Sequence, residues 1–196
     1  MQKHLIVFVK NPVLGTVKTR LASSIGDVKA LEVYKDLVKK CRNECLAVDV
    51  KRHLFYSKQI SDDAWSGGAF SKYIQVEGDL GDKITAAFQS ICMQTGKVII
   101  IGSDCYDLDA ATIEEAFEKL DDSDVVIGPA NDGGYYLLGT NNFHPEIFHN
   151  ITWSTELVLG ETIRGVKSKN LSVSLLKELI DLDTLEDLEQ SGYTLK

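Results

Sequence analysis

The sequence predicts an α/β fold, a three-layer α/β/α sandwich in which a mixed, mainly parallel sheet is covered by helices on both faces. Three observations carry this expectation. Apolar, β-branched runs at 4–9, 98–101 and 124–130 lack polar alternation, so both of their faces should be covered. Strand-like and helical periods alternate along the chain, with an irregular second half where two strands follow one another without a helix between them. The 196 residues contain no repeat of solenoid period and no long Pro/Ser/Gly linker, so a single domain is expected.

His4-Leu-Ile-Val-Phe-Val9 reads as the first buried strand, and residues 10–21 leave it as a loop, punctuated by Pro12 and Gly15, that enters a helix. Helical spacing returns at 27–48, where Cys41 and Cys45 continue the apolar stripe of Leu31, Tyr34 and Val38. Strand composition marks 50–56 and, briefly, 73–76, on either side of an irregular surface segment at 57–70. A glycine-punctuated turn from Glu77 then leads into a helix expected to end near Thr95-Gly96. The strand at 98–101 stops at Gly102 and delivers Asp104 and Asp107. A helix at 110–120 presents Ile113, Ala116, Phe117 and Leu120 on one face. Strands at 124–130 and 135–139 are joined by Asn131-Asp-Gly-Gly134. There follow a short helical turn at 143–148, a helix through about Val166 with Ser154 or Thr155 as cap, and a last strand at 171–176. Thr184 is placed to cap a terminal helix, with Asp187 as its acidic partner.

Composition narrows the function. The formal net charge of −8 argues against a general nucleic-acid binder, which needs clustered Lys and Arg. The apolar run at the start is far too short for a membrane span and lacks the flanks of a signal peptide, so a cytoplasmic protein is expected. Cys41, Cys45, Cys92 and Cys105 show neither CxxC nor zinc-finger spacing, and a disulfide framework is not expected. Core packing accounts for Cys41 and Cys45, and a loop-packing role for Cys105, which has no sequence-adjacent histidine to serve as its base. His53, His144 and His149 are each isolated and are assigned surface or core roles.

Ligands of parallel sheets bind beyond the carboxyl ends of the strands. Asp104, and with it Asp107, is there a hard oxygen donor suited to magnesium or manganese held against nucleotide phosphates. Either aspartate has the plainer use of capping the helix that starts near Ala110. Lys10, Lys18 and Arg20 gather positive charge where backbone N–H groups are free at a helix start, a combination suited to phosphate. Gly15 is followed by Thr-Val-Lys-Thr, which is not the spacing of a P-loop. Gly78 and Gly81 permit close approach of backbone to a ligand, while Asp79 is equally a helix cap. Asp132 with Gly133 and Gly134 suits contact with a base, sugar or acceptor, or else a hairpin turn with a structural aspartate. Trp153 is either a stacking platform or core. Asp181 and Asp183, not needed for the Thr184 cap, are candidates for a second carboxylate opposite Asp104.

Taken in order, several motifs resemble one family across almost the whole chain. They are Lys10-x-Pro12-x-x-Gly15-x-Val17-Lys18-Thr19-Arg20-Leu21, Gly78-Asp79-Leu80-Gly81, Gly102-Ser103-Asp104-Cys105, Gly128-Pro129-Ala130-x-Asp132-Gly133-Gly134-Tyr135-Tyr136, Trp153-Ser154-Thr155 and Asp183-Thr184-x-Glu186-Asp187-Leu188. The pattern resembles the bacterial DUF2064 proteins, glycosyltransferase-A-like members of the nucleotide-diphospho-sugar transferase superfamily. Its layout is similar to the phospholactate and molybdenum-cofactor guanylyltransferases. The resemblance implies the GT-A fold in one domain, 1–196, with a nucleotide-binding half to about 108 and an acceptor-side half from about 109. It also implies that the basic loop contacts nucleotide phosphates and that Asp104 holds the metal, with Asp183 completing the site. Three positions depart from the family pattern: Tyr106 stands where proline is expected, Lys83 where arginine is usual, and Asn131 where an acidic residue is frequent.

The combined reading is metal-dependent transfer from a nucleotide, foremost nucleotidyl transfer from a nucleoside triphosphate to a small phosphorylated acceptor. Lys10, Gly15, Lys18, Thr19, Arg20, Gly78, Asp79, Gly81 and Asp104 form the expected nucleotide site. Asp104 and Asp183 are the expected ligands of Mg2+ or Mn2+, and Asp132, Gly133, Gly134, Tyr135 and Trp153 the expected acceptor side. Asp104, Lys18 and Asp132 are the expected catalytic groups. Glycosyl transfer from a nucleotide sugar is the alternative, although the Lys/Arg-rich loop suits a triphosphate better. A non-catalytic nucleotide- or partner-binding module is a third reading. The base, the acceptor, the preferred metal and the oligomeric state, a homodimer included, stay open.

Overall fold

The structure is a computed structural model that describes residues 2–92 and 96–195, without the side chain of Cys92. Seven strands form one sheet in the order β3-β2-β1-β4-β6-β5-β7. These are β1 (Gln2–Val9), β2 (Lys51–Tyr56), β3 (Ser71–Ile74), β4 (Gly96–Ile101), β5 (Val125–Pro129), β6 (Tyr135–Thr140) and β7 (Val173–Leu175). Strand β6 alone runs against its neighbours, because the tight turn after β5 folds it straight back, whereas the other pairs are parallel. The sheet is thus mixed and mainly parallel, and it takes strands from both halves of the chain.

The apolar runs are buried on both faces for a visible reason. Along β1, Leu5, Val7 and Val9 enter one core while Ile6 enters the other, and along β4, Ile99 and Ile101 are divided in the same way from Val98 and Ile100. Helices α2 (Asp27–Ala47) and α4 (Ala110–Lys119) cover the first face, with Tyr34, Cys41, Cys45, Ile113 and Phe117 pointing inward. Helices α3 (Leu80–Cys92) and α5 (Val158–Ser168), with the 3-10 turn Pro145–Phe148, cover the second through Ile84, Phe88, Phe148 and Val166. A small third cluster joins α1 (Thr19–Ile25) and α2 to α6 (Leu185–Gln190) through Leu21, Val33, Leu37, Leu182 and Leu188. It brings the C-terminal segment beside the loop that follows β1. Among the described residues no helix is long and apolar enough to cross a membrane.

Some expectations are corrected at the helix ends. Asp109, not Asp104 or Asp107, caps α4, its side chain accepting the Thr112 N–H at 2.8 Å. A cap must directly precede the first turn, so Asp104 and Asp107 are free of that duty. Helix α5 starts only at Val158, and neither Ser154 nor Thr155 occupies its cap position, which belongs to Leu157. The Thr155 hydroxyl instead accepts the Leu157 N–H at 3.3 Å and donates to the Thr152 carbonyl at 2.7 Å. The helix end expected near Thr95-Gly96 falls at the edge of the described residues: Thr95 lies outside them and Gly96 already opens β4. The irregular segment at 57–70 is not wholly a surface feature, since Trp65 and Phe70 are buried edge to face at 4.9 Å. Large aromatic area is worth burying even from a loop without regular structure. His53 is not isolated in space, because neighbouring strands put it 3.0 Å from His4.

Candidate active site

The site forms where β1 and β4 end. Tyr34 on α2 fixes the exit of β1: its hydroxyl accepts the Lys10 N–H and donates to the Lys10 carbonyl, both at 2.8 Å. Asn11 is buried and ties the loop to the neighbouring segment. Its amide nitrogen donates to the Gln59 carbonyl at 2.8 Å, and its oxygen accepts the Lys58 N–H at 3.1 Å. After Gly15, which takes the positive φ of 74° the turn requires, the chain reaches Lys18. Lys18 is the N-cap residue of α1 and has left-handed backbone, φ 50° and ψ 43°. Its side chain runs inward and is buried.

The Lys18 ammonium lies 3.0 Å from Asp104 Oδ2 and 3.8 Å from Asp183 Oδ1. Arg20, mostly exposed, reaches Asp183 Oδ2 at 3.1 Å. Asp104 stands just past β4, and the Ser103 hydroxyl donates to its Oδ1 at 3.2 Å. The 179–183 segment comes alongside: Leu182 donates its N–H to the Asp104 carbonyl at 3.3 Å, and Cys105 bridges to Asp181 in antiparallel fashion. Asp181 and Asp183 thereby face Asp104 across 77 to 79 residues of chain, as the numbering shows. Asn131 locks this segment in place. Its oxygen accepts the Asp181 N–H at 3.1 Å while its amide nitrogen donates to Asp187 at 3.2 Å. A carboxylate at 131 has no such donor, which gives this departure from the family pattern a local use.

The electrostatics follow from the crowding. Burial works to raise the Asp104 carboxyl, but the Lys18 charge, with Lys10 and the hydrogen bonds from Lys18 and Ser103, outweighs it and holds Asp104 below the ordinary range. Burial likewise works to lower Lys18, and the charges of Asp104, Asp181 and Asp183 reverse it. Asp181 gains less from the lysine. Burial first, then the Asp104 charge, push its carboxyl up to about 7, with Asp132 and Asp183 adding to the rise and Lys18 opposing it.

Beside this cluster lies a cavity of about 360 Å³. Phe8, Val9, Ile84, Ile100 and Tyr136 give it apolar walls, and Lys10, Ser57, Gln75, Lys83 and Asp104 line its polar parts. Its size and character suit a small organic ligand with a flat apolar portion. Gln75 and Lys83 were not among the residues expected to bind. The signal was weak: Gln75 lies just past the short strand β3, and Lys83 lies in the first turn of α3.

The remaining expected residues are used in more local ways. Thr19 is exposed at the first position of α1. Asp79 and Asp82 cap α3 reciprocally, the Asp79 N–H donating to Asp82 at 3.1 Å and the Asp82 N–H to Asp79 at 2.9 Å. Gly78 takes a φ of 125° in that turn, and Gly81 is pressed against the half-buried Trp153 ring, which a Cβ there would strike. Trp153 packs on the second core from the side and is not part of the cavity lining that holds Lys10 and Asp104. Gly133, at φ 85°, lets the Glu156 backbone come into contact, and Asp132 accepts the Gly134 N–H at 2.8 Å. Tyr135 lines the cavity, but its hydroxyl is buried beside Thr162. The structure therefore unites Lys10, Lys18, Arg20, Asp104 and Asp183, adds Asp181, and keeps Asp79 and Trp153 at a neighbouring groove.

The donor set has the chemistry of a hard-cation site. Among the described residues no three or more His, Cys, Asp or Glu side chains converge as a ready metal cage. Mg2+ commonly takes one or two protein carboxylates and completes its shell with phosphate oxygens and water. Asp104 and Asp183, on either side of one ammonium, fit that use.

A family model described as "Uncharacterized protein conserved in bacteria (DUF2064)" matches residues 41–155. A crystallised protein of Desulfovibrio desulfuricans G20, assigned as a nucleotide-diphospho-sugar transferase, is 31% identical, with 96% of this chain and 85% of that one covered and a TM-score of 0.89. The chain belongs to the DUF2064 family. More distant structures share the fold of this DUF2064 protein. The inositol-1-phosphate CTP transferase of T. maritima is 13% identical, with a TM-score of 0.60 and 95% and 91% of the two chains covered. A Mycobacterium tuberculosis H37Rv protein solved with manganese is 12% identical, with a TM-score of 0.58 and 97% of each chain covered. The fold is accordingly the GT-A-like one of the nucleotide-diphospho-sugar transferases. No curated protein matches the sequence.

Proposed function

We propose that this DUF2064 protein is a nucleotide-utilising transferase that moves a nucleotidyl group from a nucleoside triphosphate to a small phosphorylated acceptor, with Mg2+ or Mn2+. The observation that carries the reading is the meeting of Lys18 and Arg20 with Asp183 and with Asp104, which also lines the apolar cavity. A base fits an apolar cavity, and cations beside it suit the phosphates. Relatives of the same fold act on CTP or were solved with manganese, which supports the choice.

Asp104 and Asp183 would hold the divalent ion, which when bound neutralises charge on the departing pyrophosphate. Lys10, Lys18 and Arg20 bind and orient the triphosphate. An acceptor phosphate oxygen attacks the α-phosphorus in line, the bond to the bridging oxygen breaks, and pyrophosphate leaves with the electron pair. Alignment and charge stabilisation dominate such chemistry. Asp132, next to Gly133 and Gly134, lies on the side left for the acceptor.

Asp104→Asn should lower metal-dependent pyrophosphate release at least about 100-fold, the usual scale for loss of one electrostatic group in a site, while thermal melting shows a folded protein. Full activity in the folded variant would sink the assignment. The name of the Desulfovibrio relative favours a second reading, glycosyl transfer from a nucleotide sugar. That reaction releases a nucleoside diphosphate, so product analysis separates the two.

A further inference from the structure

We infer that Asp183 is a charge latch, which holds Arg20 and shares Lys18 with Asp104 in the ligand-free protein and, when a divalent ion takes over the two carboxylates, releases both cations to the phosphates. The inference rests on the reading above and concerns how that same site is loaded.

The geometry divides one carboxylate between two cations. Oδ1 of Asp183 faces the Lys18 ammonium at 3.8 Å, and Oδ2 takes the Arg20 guanidinium at 3.1 Å. Of the three cations in the loop after β1, these two are therefore occupied, and only Lys10 has no ion pair among the described residues. The latch is held in position from behind. The Asp183 N–H donates to Asp187 Oδ2 at 3.1 Å, within the capping box that Thr184 and Asp187 build at the start of α6. Lys18 is aimed from the other side by its left-handed backbone, uncommon for a residue other than glycine.

Charge then decides what the site accepts. Asp104 and Asp183, with Asp181 beside them, offset most of the positive charge of Lys10, Lys18 and Arg20. A free triphosphate meets a cluster with little net attraction and must compete with Asp183 for two of its ligands. A divalent ion shared with Asp183 reverses that balance, and the two cations turn from carboxylate to phosphate. The site is thus built to load metal and phosphates together. Reciprocity requires the phosphates to strengthen metal binding by the same factor.

Inorganic tripolyphosphate tests this without any assumption about base or acceptor. Its affinity is measured by calorimetry for wild type and Asp183→Asn, in Mg2+ and in chelator. Wild type should bind it at least about tenfold tighter with Mg2+, within the usual range of coupling between sites. In chelator Asp183→Asn should bind about tenfold tighter than wild type, because Arg20 is then free and Lys18 keeps only Asp104, and its gain from Mg2+ should shrink. Asp183→Ala should behave alike, and Arg20→Gln should weaken binding in both conditions. If folded Asp183→Asn binds no tighter than wild type in chelator, the latch is overturned while the transferase reading stands. If wild type binds tripolyphosphate in neither condition, both fall.

Discussion

Among the described residues two lysines are buried, and they are buried for different purposes. Lys97 lies near the start of β4, where its ammonium donates to the Phe117 carbonyl at 2.7 Å and pairs with the exposed Asp121 at 2.6 Å. Lys18 lies at the other end of the sheet and meets carboxylates at 3.0 and 3.8 Å, with no neutral acceptor among the described residues. A neutral carbonyl plus one solvated carboxylate satisfies an ammonium and leaves nothing over. Three aspartates around one buried ammonium leave an excess that a ligand can use. The difference teaches that burial of a charge does not itself mark a site, whereas an unfinished set of partners does.

Exchanging each lysine for methionine is the strongest way to break the comparison. Lys18→Met should lower nucleotide turnover about 100-fold or more, since it removes a cation of the proposed phosphate site. Lys97→Met should leave turnover alone and cost about 1–3 kcal/mol of stability, because the buried Phe117 carbonyl loses its donor. Steady-state rates and urea titrations of the two variants check this. A loss of turnover in Lys97→Met at a temperature where it is folded would erase the distinction.

Much of this contrast was legible in the sequence, and the unread part has a common cause. The β-branched runs of β1 and β4 announce strands covered on both faces, and a basic loop after one and an aspartate after the other announce the ligand edge. Lys18, Asp104 and Asp183 could be named because each sits at the end of such a run or in a motif that resembles the family's. The Asp109 cap was missed because three aspartates compete at 104, 107 and 109, and only backbone geometry decides which one precedes the first turn. The roles of Asn11, Asn131 and Trp65 depend on partners far along the chain, which local periodicity does not report. His53 looks isolated for the same reason. Parallel register sets Ile6 beside His53, one pleat from His4.

The histidine pair lets pH sharpen the contrast. His4 Nδ1 and His53 Nε2 are 3.0 Å apart with the rings stacked at 5.2 Å, and both residues are buried. Burial first, then His4 and Lys51, lower His53 to about 4. The folded state thus prefers neutral His53 while the unfolded chain takes its proton near 6.5. Stability from this end is full above pH 6.5 and is lost as pH falls toward 4, by roughly 2 kcal/mol at pH 5. His53→Gln should flatten the slope of urea stability between pH 7 and pH 5. An unchanged slope would mean that the pair is not what titrates.

The carboxylate end should slope the other way, with the smallest expected effect, because Asp181 is only half-buried and solvent screens much of its charge. The Asp181 carboxyl rises from an ordinary 3.8 to about 7, chiefly through burial and the Asp104 charge. Here the folded state holds the proton more tightly than the unfolded chain, so stability falls as pH climbs from about 4 through 7. Asp181→Asn, measured in chelator, should therefore be more stable than wild type at pH 8 by about 1 kcal/mol or more, with a smaller margin at pH 5. Parallel pH profiles for wild type and variant would show that Asp181 carries no such charge penalty. A diverging pair would mean that this end of the sheet keeps, at neutral pH, a repulsion that the histidine end avoids. Mg2+ with tripolyphosphate should then narrow the gap, because a cation brought among the three aspartates relieves in wild type what the asparagine has already removed.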